Sequence, residues 1–587
     1  MPKHVHAIID NKTAAAKTAN KKRAYIIIVA AILSALVAGL LLVCFFTLDM
    51  LPAYTYMVSA PNIGAGSVDA SDARQIINVK MKIRVPVFSK KDSVYLFLGD
   101  KNIAVNSLTD AWGKTKEAFI SEEGIITIPV SRGSTTNIDY DVSVSLPAKH
   151  GSRGAVTDIY TVFDGDQTFL LPAEFNLLSE EGVRNAVGRL NFAFDFPNNW
   201  EKIIPFTHLS DPGWMDIYSI TKNAFVAGEF YLDYSTQSGL KVYSLEHQAA
   251  DQQTTSQLTP EDMAGFDSLY AYYLELFGSA PEGFNIVLLP PDRQIIGGSG
   301  TGVVAASFDP NSIKDWQLLS HRMFHAFYDT VAPYINVHVE PNMWLNEGLA
   351  TYYEKLAMDA LPEPLKLRLG ADFRSQMALT FSQYLYMRLK EPFQYNFAPM
   401  DEERLTSSSM TEFLHYTAAP LIVMLFERES ANNGNPPDSL LRYCLDSSAF
   451  EGRVTALEAA LDLLGDEGVG FCDDYLLGMN IPPLWYLEAY QPSSEEVLEA
   501  LNYIETMLAS WRKTEIPEFE ADVLSMEELR ELLASSDESG IPVLSDETGS
   551  LVKSFSPELY AIIKRYYQRA QQMGFDLDDR ELRLKMQ

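Results

Sequence analysis

Cysteine is nearly missing from this chain: there are three in 587 residues, Cys44, Cys444 and Cys472. So few exclude a scaffold built on disulfides. Cys44 sits in an apolar run, while Cys444 and Cys472 either bridge, in an oxidising compartment, or remain two buried thiols. Basic side chains are also scarce, 46 against 78 acidic ones, for a formal net charge of −32. A nucleic-acid partner requires a basic surface to neutralise phosphates, so that class is excluded. The chain shows neither an internal repeat nor a low-complexity tract. With 47% hydrophobic and 21% charged residues it has the composition of folded protein, and 587 residues leave room for several domains.

The few basic residues are unevenly placed. Lys3, Lys12, Lys17, Lys21, Lys22 and Arg23 precede an uncharged run of 23 residues, Ala24 to Phe46, and Asp49 follows it. At about 1.5 Å per residue the run covers roughly 34 Å as a helix, enough to cross a hydrocarbon core of about 30 Å. The expectation is a cytoplasmic basic tail over 1–23, a single transmembrane helix over 24–47, and an extracytoplasmic remainder, oriented by the positive-inside rule. This makes the chain a single-pass cell-membrane protein. The alternative is a signal peptide cleaved at the small residues Val58-Ser59-Ala60, but the apolar run is too long for one and Pro61 follows directly.

From about Pro61 to Tyr234 apolar residues alternate with polar ones, as in Val79-Lys80-Met81-Lys82-Ile83-Arg84-Val85 and Leu190-Asn191-Phe192-Ala193-Phe194-Asp195-Phe196. Period-two alternation broken by turn signals predicts half-buried strands in an antiparallel sandwich or saddle, here a β-rich domain over 50–250. Thr259-Pro260-Glu261-Asp262 is a helix start, with an N-cap, proline at the first position and early acids. Asn285 to Leu289 predicts a buried strand, and Val303 to Phe308 an edge strand beside a cleft. Between them lies the glycine-rich Gly297-Gly298-Ser299-Gly300-Thr301-Gly302. No Lys-Ser/Thr follows it, so a turn or cleft backbone is the better account than a phosphate cradle. Ser312 and Asp315 form a capping pair for a helix through His321 and His325, and Pro341 suits the start of the next. Beyond Pro364 the chain reads as helical, which divides the rest into an α+β unit over 255–430 and a helical region over 431–587.

Chemistry concentrates between Ser320 and Glu354. His321 and His325, four apart, share one helix face. A carboxylate from the second helix, Trp344-Leu345-Asn346-Glu347-Gly348-Leu349-Ala350-Thr351-Tyr352-Tyr353-Glu354, completes a three-point set. Two imidazoles and one carboxylate hold zinc with its fourth position open, the arrangement of catalytic rather than structural sites. In the His-Glu-x-x-His pattern the residue after the first histidine is the general base. In this chain it is Arg322.

The order of these parts resembles a gluzincin, the thermolysin-like metallopeptidase domain of the aminopeptidase N and glycyl aminopeptidase families. The shared texture is a β-rich domain, an aromatic helix ending in Phe277-Gly278, a strand, a glycine-containing segment, the two-histidine helix and the Trp344-Leu345-Asn346-Glu347-Gly348 helix. The resemblance spans roughly 180–430 and implies an α+β multidomain fold with zinc on His321, His325 and Glu347. It also implies an oxyanion-stabilising tyrosine, for which Tyr416 in His415-Tyr416-Thr417-Ala418-Ala419 is the candidate, although the family's Lys-Gly is absent after it. Two more departures stand out: 21 residues separate His325 from Glu347, more than aminopeptidase N spacing, and no Glu-Asn is present to bind a substrate's amino terminus.

Arginine cannot replace the base. Its guanidinium stays protonated and has no acceptor lone pair. General acid–base help is worth about 10² to 10⁴ in rate, so turnover needs another carboxylate, and Glu340 and Glu354 are the nearby ones. Its positive charge also opposes a dication, so either zinc is held or a metal-free relic remains. Three readings follow: an extracytoplasmic metallopeptidase-like protein that binds peptide or protein in its former cleft, an active zinc peptidase with a relocated base, and a surface structural module.

Overall fold

The computed structural model describes Val29 and most residues from Pro52 to Gly574, leaving out 61–75, 174–186, 206–213, 246–257, 333–342, 391–411, 512–556 and several shorter stretches. The apolar run 24–46, apart from Val29, therefore lies outside the described residues, as do Glu340, Pro341 and most of the glycine-rich segment. Among the described residues no helix is long and apolar enough to cross a membrane.

The first described strand is already structural. Ala53–Ser59 pairs in parallel with Val187–Asp195 and antiparallel with Ile76–Arg84, inside a six-stranded sheet whose other strands are antiparallel. Tyr56 and Val58 are fully buried, and the Tyr56 ring stacks on Phe192 with centroids 5.1 Å apart. Cleavage after Ala60 would remove this inner strand. The alternation read in the sequence holds: Ile77, Val79, Met81 and Ile83 point into one core and the residues between them outward.

The second sheet has five strands in the order Phe230–Ser235, Lys241–Leu245, Asn285–Leu289, Val303–Ser307 and Ile296–Gly297. Two corrections to the sequence reading follow. Residues 230–245, assigned by alternation to the β-rich domain, are hydrogen-bonded into this sheet. Val303–Ser307 is interior, flanked by Asn285–Leu289 in parallel and by the two-residue edge strand Ile296–Gly297. Ile286, Leu288 and Val304 face the helices, whereas Val287, Leu289, Val303 and Ala305 face an apolar layer from the N-terminal sheets that includes Val162 and Val226. With both faces covered the strand reads as a continuous apolar run.

The aromatic helix Pro260–Phe277 begins with the expected capping box of Thr259 and Asp262 and ends on Gly278 with φ +70°. Its Phe266, Tyr270, Tyr273 and Phe277, at i, i+3 and i+4 spacing, pack against the histidine helix Ile313–Val331. Ser312 caps that helix, but the Asp315 carboxylate accepts from Asp309 N rather than closing a reciprocal box. Tyr273 donates to Ser320 Oγ (2.8 Å), and Ser320 donates to the Glu354 carbonyl (3.3 Å). The residue before His321 is thus fastened to both neighbouring helices.

The glutamate helix Met343–Asp359 crosses the tyrosine-bearing helix, a π turn over Phe413–Ala418 that continues as Ala419–Asn432. Gly348 permits the crossing. A Cβ there would lie 2.7 Å from Ala419 Cβ and 3.1 Å from its carbonyl carbon. Gly348→Ala is therefore expected to lower the melting temperature, since overpacking costs about 1–3 kcal/mol against roughly 1 kcal/mol of helix propensity gained. A rise in thermal denaturation would show that the two helices part freely.

Behind this crossing, Glu427 is buried where the helix Ser439–Glu451 begins, and it accepts from Leu440 N (3.2 Å). Burial pushes its carboxyl up to about 7, with Asp438 adding to the rise and the Leu440 N–H opposing it. The unfolded chain loses this proton in the ordinary glutamate range, so the stabilisation is complete below about pH 4.5 and is lost as pH climbs to about 7. Glu427→Gln, neutral throughout, should match wild type at pH 4.5 and exceed it at pH 8 by roughly 1–3 kcal/mol in denaturant unfolding. Equal stability at pH 8 would contradict a neutral buried carboxyl.

Cys444 and Cys472 are both buried free thiols. The last described helices, Ser494–Trp511 and Pro557–Gln572, pack with Phe373–Lys390 and with Phe413 and Leu414 into a separate core, so they brace the π turn from behind.

Candidate metal centre

The structure brings His321, His325 and Glu347 together. Their ligand atoms all lie within 4.8 Å of one another, and they form the one such His/Cys/Asp/Glu group among the described residues. His321 Nε2 is 3.1 Å from Glu347 Oε2 and 3.1 Å from His325 Nε2, and His325 Nε2 is 3.5 Å from Glu347 Oε2. Zinc bound tetrahedrally at about 2.05 Å places its ligand atoms about 3.3 Å apart. The triangle fits that ion.

The proton inventory supports a cation at its centre. His321 Nδ1 is 3.1 Å from Glu354 Oε2, and an ionised carboxylate only accepts, so Nδ1 carries the hydrogen. In the neutral ring Nε2 is then a lone pair, facing the equally electron-rich Glu347 Oε2. Two acceptors at 3.1 Å require a proton or a metal between them. Burial disfavours the imidazolium, but Glu347 and Glu354 outweigh it and carry the His321 pKa up to about 9. Burial lowers the pKa of His325, against the pull of Glu347. Glu347 is held well below the carboxylate range by the two histidines in spite of its burial.

Glu354 stands behind the cluster. Its Oε1 pairs with Lys355 Nζ at 3.1 Å, and both side chains are buried. Burial raises its pKa, but Lys355 and His321 prevail and lower it. Bonded to the far nitrogen of His321, this carboxylate orients the ring and does not reach the open side, so it is not a relocated base. Outer-shell acceptors of this kind typically fix the tautomer of metal-binding histidines. Sequence reasoning missed Lys355. Its one signal is a lysine on the helix face shared by Thr351, Glu354 and Met358, where a charge needs a buried partner.

Tyr416 reaches the same place from the opposite helix. Its ring centroid is 5.8 Å from that of His321, and 44% of the residue stays exposed. Burial of the hydroxyl and the facing Glu347 carboxylate raise its pKa, while the Arg322 guanidinium pulls it down. The π turn has a local cause. Pro420 has no N–H for the Tyr416 carbonyl and its ring crowds that carbonyl, so the helix widens, with Ala419 N bonding Leu414 O. Arg322 is half-buried beside the cluster, and its buried Nε finds no hydrogen-bond partner among the described residues.

Comparison with solved structures bears on the fold. An aminopeptidase N family protein from Idiomarina loihiensis is similar in structure, with a TM-score of 0.52 and 12% identity over 74% of this chain and 77% of that one. Two structures of an M1 zinc metallopeptidase from Deinococcus radiodurans also align, one of the enzyme (TM-score 0.45, 14% identity, 74% of this chain and 94% of that one covered) and one of a mutant bound to a Tyr-Ser-Ala substrate (0.46, 15%, 74% and 95%). Neither a protein-family model nor a curated protein matches the sequence. At these identities the likeness speaks for the fold.

Proposed function

We propose that the chain is a membrane-anchored, extracytoplasmic metallopeptidase-like protein that binds zinc through His321, His325 and Glu347 and holds a peptide or protein segment in its cleft without hydrolysing it efficiently. The observation that carries this is a ligand triangle of zinc dimensions with Arg322 in the position of the general base. When bound, zinc supplies Lewis acidity at its open position. Around it, Glu354 fixes the His321 tautomer and Tyr416 offers a hydroxyl, but Arg322, in the position of the base, cannot take the proton that peptide hydrolysis must move. Anchoring rests on the apolar run 24–46. Six residues separate Phe46 from Ala53, a tether of at most roughly 20 Å, so the N-terminal sheet rests near the bilayer.

The test is elemental analysis of the full-length chain purified in detergent, beside a peptide-library digest. About one zinc per chain with no cleavage is the expected pair. No zinc, or cleavage that a chelator stops, overturns the reading on its first or second half respectively.

A further inference from the structure

Arg322 alters the charge of the centre as well as removing a base. Zinc with two glutamates is electrically neutral. With Arg322 in place of one of them a cation joins Glu347 and Glu412 around Tyr416, while Glu354 and Lys355 neutralise each other at 3.1 Å. A guanidinium at this position favours an anion over a free amino terminus.

We propose that the cleft binds a peptide carboxylate, held by the Arg322 guanidinium and the Tyr416 hydroxyl beside the metal position. This rests on the peptide-binding cleft proposed above and names the group that binds there. Three observations converge. The side chain of Arg322 is half-buried and its buried Nε has no acceptor among the described residues, so a guanidinium N–H suited to a carboxylate stands without its partner. The Tyr416 ring lies 5.8 Å from that of His321, and the charges of Glu347, Arg322 and Glu412 all act on its hydroxyl, so the guanidinium, the tyrosine and the ligand cluster are neighbours. On that helix Arg322 is three residues before His325, on the flank of the ligand face. Tyr416 remains 44% exposed, so a ligand entering the cleft meets it. A carboxylate answers these donors with acceptors only, whereas an amide presents N–H groups to a guanidinium that cannot accept them.

Such a group is either the C-terminus of a peptide or an aspartate or glutamate side chain. The full-length chain in detergent, with its zinc content measured, is titrated against three fluorescein-labelled alanine tetrapeptides blocked at the N-terminus. One ends in a free carboxylate, one in an amide, and one is the amide with an internal aspartate. The free acid, the aspartate peptide or both should bind about tenfold or more tighter than the plain amide, and which of them does so identifies the source. Arg322→Gln should abolish the preference and Arg322→Lys retain part of it, as a point charge without the fork. Equal binding of all three peptides, or binding of none, overturns the proposal, and this comparison stands even where a variant does not fold. If zinc is present and the three bind equally, only the carboxylate proposal fails. If the preference survives in a chain without zinc, only the zinc assignment fails.

Discussion

His321→Ala should reduce zinc from about one per chain to background, the largest loss of metal affinity expected of any single change. Loss of an outer-shell partner alone typically costs about 10- to 100-fold in affinity, and a direct ligand must cost more. His321 also makes both short contacts of the triangle, at 3.1 Å to Glu347 Oε2 and to His325 Nε2. Without it, His325 and Glu347 form a 3.5 Å pair that water or a proton satisfies. Glu354→Gln should fall at the lower end of the outer-shell range, because the amide oxygen still accepts from Nδ1. Glu354→Ala should fall at the upper end and also leave Lys355 buried without its acid. Competition with a chromophoric chelator measures all three.

The pH dependence has a definite sign. In the metal-free chain the His321 proton is held up to about pH 9, and zinc must displace it. Apparent zinc affinity should therefore climb from pH 7 towards 9 and level off beyond. Glu354→Ala removes one of the two groups that hold this proton, so its slope should end at lower pH. Identical slopes for wild type and Glu354→Ala would count against the Nδ1 hydrogen bond.

What the sequence disclosed about this centre was local. Thr259-Pro260-Asp262 marks a helix start through interactions three residues apart, and His321 and His325 meet because a helix repeats every 3.6 residues. Glu347 was reachable through its helix, where Trp344, Asn346 and Gly348 form a recognisable setting. The structure adds the reason for the glycine, a crossing with Ala419 just 2.7 Å from an added Cβ. Alternation showed strands but not their neighbours. Residues 230–245 look like the strands before them, and only pairing with Asn285–Leu289 assigns them to the second sheet. For the same reason Val303–Ser307 could not be told from an edge strand: the register with Ile296–Gly297 is decided by hydrogen bonds, not by hydrophobicity. Lys355 and Glu427 stayed hidden because a charged residue in a sequence implies water: Lys355 pairs with its own neighbour Glu354, and only the fold buries both, while Glu427 meets the Leu440 N–H.

Arg322→Glu is the complementary experiment, expected to raise peptide hydrolysis by about 10² to 10⁴ over wild type, the usual worth of a placed general base. The argument rests on what remains around residue 322. The ligand triangle has zinc dimensions, Glu354 already orients His321, and Tyr416 stands 5.8 Å from the His321 ring, on a π turn braced by the C-terminal core. A glutamate at 322 brings an acceptor to the open side and restores neutrality with the dication. It should also erase the preference for carboxylate peptides, so hydrolysis and carboxylate binding should exchange in one variant. Arg322→Gln separates the effects, losing the preference without gaining a base. A gain in the glutamate variant that His321→Ala abolishes would show that one side chain keeps this centre from turning over. If zinc stays bound and hydrolysis does not rise, the deficit lies in how substrate is placed, and the glycine-rich segment without Glu-Asn becomes the next element to change.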